Sequence, residues 1–450
     1  MTNTLYLPEL REMLSEENKA DLEEFCTALH PARTAEFMEG LTATEMWEVL
    51  GYAPGPLKVE IFGFIDDDIQ VEIIEQIDRS EIAGFIDDLP PDDRVDLLKK
   101  VDPKIVDELM PLIQVDERRD ILRLRSYPEH TAGAVMTSEF ARLSEDLLVG
   151  QALEVIGKQA EELETIYYLY VVDNEDHLLG LASARQLVSA MCKPDTRIED
   201  LMERDIVTVN VLDDQEEVAD KVARYDLLAI PVVDDERHMV GIVTHDDIID
   251  VVREEAVEDA YRIAAVEPLE EGYIETPVTL LTWKRGIWLT ILFFGAMLTA
   301  VALTKFESTF EMFPWLVLFI PLVISTGGNT GNQSATLVIT ALTSGNITLL
   351  DWWRVVKREL AMGLLLGGFL GLIGFFCAFS FAPTMLSTLI VPLTILLVVV
   401  CGTLSGSVLP LLFHRLGLDP AMMSNAFVAG LIDVIGIIIY MNVAIAIASF

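Results

Sequence analysis

The feature that most constrains the fold of this chain is the uneven placement of its charge. Of 72 acidic and 31 basic residues, only six acids and seven bases lie beyond Thr276, leaving 66 acids and 24 bases in the first 276 residues. Between those few charges the C-terminal part holds uncharged apolar runs of the length needed to cross a hydrocarbon core as helices. A chain so divided is expected to be an integral membrane protein with a highly acidic front half.

Gly286–Thr304 is an uncharged run of 19 residues, the first expected span. Met312–Leu350 is uncharged for 39 residues, so one long, kinked span is expected from Trp315 to Thr343, with Pro314 and Pro321 near its start. Leu360–Ala382, Leu386–Phe413 and Ala421–Ala448 make five. With the N-terminus inside, Lys284, Arg285, Arg354, Lys357, Arg358 and Arg415 fall in cytoplasmic segments and only Lys305 outside, as positive charge requires. The expected location is therefore the cell inner (plasma) membrane, with cytoplasmic N-terminal domains and an outside C-terminus. No basic segment leading into an apolar core marks a cleavable signal at the start. His414 beside Arg415 reads as an interfacial anchor.

Two polar features lie at membrane depth, where such groups are costly unless they face protein or water. The tract from Ser325 to Thr336 contains Gly328, Asn329, Asn332, Gln333 and Thr336. Its glycines allow close backbone approach, and its amides offer donors and acceptors to an ion or its bound water. Tight packing of small residues is the structural alternative. The second feature is Asp433, the only carboxylate within any of the apolar cores as delimited above. Asn425 and Ala429 precede it by eight and four residues, so the three share a helix face. Asp433 is either a protonated structural group or the mark of a cation path. Oxygen donors without His or Cys clusters favour a hard ion, foremost Mg²⁺ held through its hydration shell. Cys26, Cys192, Cys377 and Cys401 are scattered and define neither disulfides nor a zinc site.

In the acidic half, Leu22–Leu124 shows short amphipathic helical patterns broken by proline, an α-solenoid pattern. Asp92 and Asp93 follow Pro90-Pro91 at helix-capping positions, and Asp96 makes the group denser than capping needs. From Asp246 to about Val266 an acidic helix stacks like charges, either a solvated face or one that Mg²⁺ bridges to other acidic surfaces. So dense a negative field disfavours nucleic acid as a partner. Tyr170-Val171-Val172-Asp173-Asn174 with Gly180, and Pro231-Val232-Val233-Asp234-Asp235 with Gly241, repeat at a spacing of 61 residues. Val135-Met136-Thr137 and Leu201-Met202 open the two units. The pair resembles tandem cystathionine-β-synthase-type (CBS) modules, and this resemblance implies adenine-nucleotide binding, possible ATP contacts being Thr244 and Asp247. The first module departs from that pattern at Ser183-Ala184-Arg185-Gln186.

Taken together, Gly327-Gly328-Asn329-Thr330-Gly331-Asn332-Gln333, Leu418-Asp419-Pro420 and Asp433, with the domain order, resemble the MgtE family of magnesium channels and transporters. The expected fold is multidomain: residues 1–131 an acidic α-solenoid, 132–200 and 201–245 the CBS (α+β) modules, 246–275 a connecting plug helix, and 276–450 an all-α transmembrane domain with five helices. The resemblance implies a non-enzymatic homodimer in membrane lipid, with the two Asp433 side chains facing across the pore. It also implies regulatory Mg²⁺ sites at Asp92 or Asp93, Asp96, Glu216, Asp226, Asp247, Asp250, Glu255, Glu258 and Asp259, through which cytoplasmic Mg²⁺ closes the channel. Rival readings are a CBS-gated channel for another ion, such as chloride, and a non-conducting Mg²⁺ or nucleotide sensor. The lone intramembrane carboxylate argues against an anion path.

Overall fold

A computed structural model describes residues 6–160, 163–269, 272–274, 276–420 and 425–448. They divide into two compact units, Met1–Val252 and Arg253–Phe450, and the division falls inside a helix.

The N-terminal unit begins with ten short helices between Leu7 and Leu124 among the described residues. Proline or a polar cap starts most of them: Asn18, Thr42, Asp78 and Asp102 accept backbone N–H bonds, and Pro31, Pro91 and Pro103 occupy first-turn positions where no N–H is needed. Their apolar faces stack into one continuous core running from Leu10 through Phe62 and Ile86 to Leu124. Helix α1 (Pro91–Lys100) is the one that bears Asp92, Asp93 and Asp96.

Two modules of the same build follow. In the first, β1 (Phe140–Ser144) pairs parallel with β2 (Thr165–Val172) across α2 (Val149–Gln159), and β2 pairs antiparallel with β3 (Leu178–Ser183), which runs into α3 (Ala184–Ala190). In the second, β4 (Val209–Asn210), α4 (Gln215–Tyr225), β5 (Ala229–Val233) and β6 (Met239–Thr244) repeat the order and the register of pairing. The modules interlock reciprocally. Thr137 exchanges backbone hydrogen bonds with Ile242 of β6 (2.9 and 3.0 Å), and Glu203 does the same with Leu181 of β3 (2.9 and 2.8 Å). That crossing accounts for the repeated glycines: a Cβ on Gly241 would lie 2.7 Å from the Thr137 carbonyl oxygen, and one on Gly180 would lie 3.0 Å from that of Glu203.

After β6 comes α5 (His245–Ile263), the continuous acidic helix the sequence predicts; Ala265, at φ +59°, ends its run.

The C-terminal unit consists chiefly of α6 (Val278–Lys305), α7 (Ile320–Thr343), α8 (Trp352–Phe379), α9 (Ile390–Arg415) and α10 (Asn425–Ala448). Among the described residues four helices are long and apolar enough to cross a membrane, those built on α6, α8, α9 and α10. The fifth expected span, α7, has 24 residues and carries the polar tract. Residues 421–424, where the last span was expected to begin, lie outside the described residues. Two expectations need correction. Pro321 sits in the first turn of α7 and Pro314 heads a separate 3₁₀ turn, so the prolines start the helix instead of kinking it. Helix α8 begins eight residues before Leu360, because nothing about Arg354, Lys357 or Arg358 stops a helix, and Glu359 therefore lies inside it.

Glycine sets the closeness of this bundle. Gly327 and Gly331 of α7 face Gly402 and Gly406 of α9; a Cβ on Gly402 would stand 2.7 Å from the Gly327 carbonyl oxygen. On α8, Gly363, Gly367, Gly371 and Gly374 are buried and bring its backbone against α9.

Candidate functional site

In the C-terminal unit the polar tract of α7 and the Asp433 face of α10 come together. A Cβ on Gly328 would lie 3.5 Å from that of Ala429 and 3.7 Å from Asp433 Oδ1, so the missing side chain is what leaves the carboxylate open to the α7 backbone. Two turns along, Thr336 and Asn425 are hydrogen-bonded side chain to side chain (3.1 Å, Asn425 Nδ2 donating). With its amide turned to satisfy both ends, Asn332 donates to the Gly328 carbonyl at 3.3 Å and to that of Asn425 at 2.5 Å. Asn329 donates to Ser325 within its own helix (3.2 Å) and is exposed. Thus Gly328, Asn332, Thr336, Asn425, Ala429 and Asp433 form one oxygen-rich seam, with Asn329 at its margin. All its donors to a cation are hard oxygens, which suits a hydrated divalent ion.

Asp433 is not the only carboxylate in these helices. Glu359 of α8 accepts from Ser334 of α7 at 2.6 Å.

At the start of the same unit, Arg262 of α5 pairs with both Glu258 and Asp419, a fixed base between two acids. Asp259 is pushed up to about 6 by burial and by Asp419 and Glu255, an effect Arg262 partly offsets. The sequence gives no sign of this role for Arg262, because a base in an acidic helix reads as an ordinary i,i+4 partner.

The N-terminal unit gathers acids whose mutual repulsion Lys100 offsets only in part, at Asp93. Asp92 and Asp93 of α1, Glu164 just before β2, and Asp246 and Asp247 at the start of α5 act on one another. Removal from water lifts the Asp92 carboxyl well above the usual range, and Asp247, Asp93 and Glu164 lift it further. Its Oδ1 is buried with no hydrogen-bond partner among the described residues. Helix capping fails as an explanation: the residue at that cap is Pro90 and no side chain caps the helix. Glu164 is exposed as a residue, yet its carboxyl is crowded; desolvation there, then Asp247 and Asp246, push it up to about 7. Asp247 is pushed up to about 6 by burial and Asp246 despite accepting hydrogen bonds from Thr244. A cluster of oxygen ligands holding one orphaned, buried oxygen fits a hard divalent cation.

The remaining sequence candidates scatter. Asp96 pairs with Lys99 at 2.8 Å. Glu216 and Asp226 lie at opposite ends of α4, roughly 15 Å apart along an 11-residue helix. Asp226 closes that helix in a left-handed conformation (φ 51°). Asp250 is exposed on α5, and Glu255 is half-buried one turn before Asp259.

A cleft of about 500 Å³ lies between the modules, lined by Tyr167, Tyr168, Ser183, Arg185, Asp205 and Tyr225 among others. Thr244 and Asp247, the expected nucleotide contacts, do not line this cleft; Thr244 donates to Asp247, whose carboxyl belongs to the acidic cluster. Both modules line the cleft, and its guanidinium, Arg185, comes from the one whose motif departs from the pattern. Its aromatic faces beside a guanidinium suit a planar ring bearing an anionic group.

Family models match three parts of the chain: a divalent cation transporter over residues 320–443, the MgtE intracellular N domain over 29–130, and CBS domains over 132–193 and 198–254. A curated magnesium transporter MgtE from Thermus thermophilus is 37% identical, over 97% of each chain. One from Enterococcus faecalis is 36% identical over 73% of this chain and 72% of its own length. Among solved structures, the cytosolic domain of the Mg²⁺ channel MgtE in complex with ATP is 33% identical with a TM-score of 0.50, covering 54% of this chain and 98% of that one.

Proposed function

We propose, from the premise that this chain belongs to the MgtE family of magnesium transporters, that it conducts Mg²⁺ along the seam of α7 and α10 and is closed by cytoplasmic Mg²⁺ acting on its acidic clusters. The family is one of transporters, not enzymes. The single observation that carries the reading is the pairing of two unlike acidic sites in one chain: Asp433 open beside Gly328, and Asp92 buried with an unpartnered oxygen among like charges.

In the seam, Asp433 attracts the cation, while the Asn332 and Asn425 amides, Thr336 and the backbone bared by Gly328 hydrogen-bond its water. In the N-terminal unit, Asp92, Asp93, Glu164 and Asp247 repel one another, and a bound Mg²⁺ removes that penalty. Any arrangement that needs those acids close is thereby favoured when cytoplasmic Mg²⁺ is high. Asp250, Glu255, Glu258 and Asp259, together with Glu216 and Asp226, supply further carboxylates to this regulation in a homodimer. Helix α5 is the covalent link through which the response passes.

ATP is proposed as a ligand of the 500 Å³ cleft, with tyrosine stacking on adenine and Arg185 on phosphate. The solved ATP complex of the related cytosolic domain supports this. The orientation proposed is N-terminal domains in the cytoplasm and C-terminus outside, from the distribution of basic residues.

The test is Mg²⁺ flux into proteoliposomes as internal Mg²⁺ is varied. Flux that falls as internal Mg²⁺ rises, with Asp433→Ala inactive, is expected. Flux indifferent to both overturns the reading.

A further inference from the structure

Glu359 has no place in the ion path described above, yet it is the residue most closely tied to it from behind. Its side chain accepts the Ser334 hydroxyl of α7 at 2.6 Å, and its backbone carbonyl accepts the Thr403 hydroxyl of α9 at 3.1 Å. Ser334 and Thr403 are both buried, at 5% and 0% exposure. One residue of α8 thus holds two neighbouring helices. A hydroxyl donating to a carboxylate is a stronger bond than one between neutral groups, and away from water it has no ready substitute.

The position of Ser334 gives this bond its consequence. At 100° per residue it stands about 160° around α7 from both Asn332 and Thr336. Those two meet Asn425 on the front of the helix, while Ser334 meets Glu359 on the back. Gly331, between front and back, and Gly327, on the back about 20° from Ser334, present bare backbone to Gly402 and Gly406 of α9. Such contact permits close approach, and Val398, Val428 and Ile432 project against the notches it leaves while Val323, Ala335 and Ile339 of α7 pack in the core, so apolar shape sets part of the rotation of α7. Directional bonds on its polar faces add an orientation that apolar packing alone does not specify.

We propose that Glu359 is a positioning residue: by holding Ser334 it sets the rotation of α7, and so aims Asn332 and Thr336 at the cation path along α10. This rests on the reading of that seam as the path. It predicts that Glu359 acts as a hydrogen-bond acceptor and not as a charge met by the ion.

The experiment uses the full chain in proteoliposomes, recording initial Mg²⁺ flux against external Mg²⁺ and competition by Co²⁺. Ser334→Ala and Glu359→Ala are each expected to lower flux about tenfold and to weaken discrimination against Co²⁺, and the double variant to be no worse than the poorer single, as for residues acting as a unit. Glu359→Gln, which still accepts from Ser334, and Ser334→Thr are expected to stay within about threefold of the parent. Parental flux and selectivity in both alanine variants would overturn the proposal. So would a Glu359→Gln variant as impaired as Glu359→Ala beside a normal Ser334→Ala, since charge and not aim would then matter. Should Asp433→Ala conduct like the parent, the reading of the seam itself is what fails.

Discussion

Two groups of carboxylates, one in each unit, are handled in opposite ways. In the C-terminal unit several acids have compensating partners, Asp259 excepted: Glu359 has Ser334, Glu258 and Asp419 share Arg262, and Asp351 has Arg354 and Thr348. In the N-terminal unit Asp92, Asp93, Glu164 and Asp247 are drawn together near Asp246, and burial with the like charges around them raises those four carboxyls. Compensated acids hold a shape whatever the ionic conditions. Crowded acids make the shape conditional, since only an added cation or proton relieves them. Asp433 stands between these cases, a lone acid whose neighbour is a glycine.

The comparison can be broken first at Asp433. Asp433→Ala is expected to reduce Mg²⁺ flux by about 100-fold or more, without changing the rise in melting temperature that Mg²⁺ confers on the chain. Parallel loss of both would mean the two sites are one. Next, Asp92→Asn with Asp247→Asn is expected to raise the internal Mg²⁺ needed for half-inhibition about tenfold, while making the Mg²⁺-free protein more stable, because repulsion has been removed. Destabilisation by that pair would show the acids to be structural. Arg262→Ala should convert the compensated group at the start of the C-terminal unit into a crowded one. Stability without Mg²⁺ falls by about 1 kcal/mol, modest because the pair is half-exposed, and added Mg²⁺ restores it. A variant that melts like the parent with and without Mg²⁺ would remove Arg262 from the account.

The smallest effect is on pH. Glu164 and Asp247 titrate in the folded chain near 7 and 6, above their ordinary ranges. The native state therefore binds protons more tightly than the unfolded one, and stability is fully present below about pH 4 and lost as pH rises through 6 and 7. With screening at the exposed Glu164, the Mg²⁺-free protein should melt about 2–4 °C lower at pH 8 than at pH 5.5. Saturating Mg²⁺ should flatten that slope; a slope of opposite sign would show that these acids are stabilised when charged.

What could be read from the sequence was what local pattern determines. Spans were legible because lipid tolerates few charges, and Asp433 because an acid in an apolar run has no ordinary use. The module repeat was visible in Gly180 and Gly241, but not its cause, the crossing of Glu203 and Thr137 over those glycines. Glu164 was invisible as a partner of Asp92, 72 residues away and on another element. Glu359 falls just before the span expected from Leu360, and periodicity cannot say that a helix continues through the three bases ahead of it. The cleft escaped notice for the same reason as Glu164: Tyr167, Arg185 and Tyr225 converge from three elements that share no motif.

The bare contact between α7 and α9 has a mechanical consequence. Backbones seated against each other at Gly327, Gly331, Gly402 and Gly406 leave no slack for one helix to tilt away without exposing carbonyls or colliding. The two are best regarded as one beam. Whatever widens the seam at Asp433 must come from α10 swinging against that beam, so labels for tracking the motion belong on α10, and a distance measured from α7 to α9 should serve as the fixed ruler.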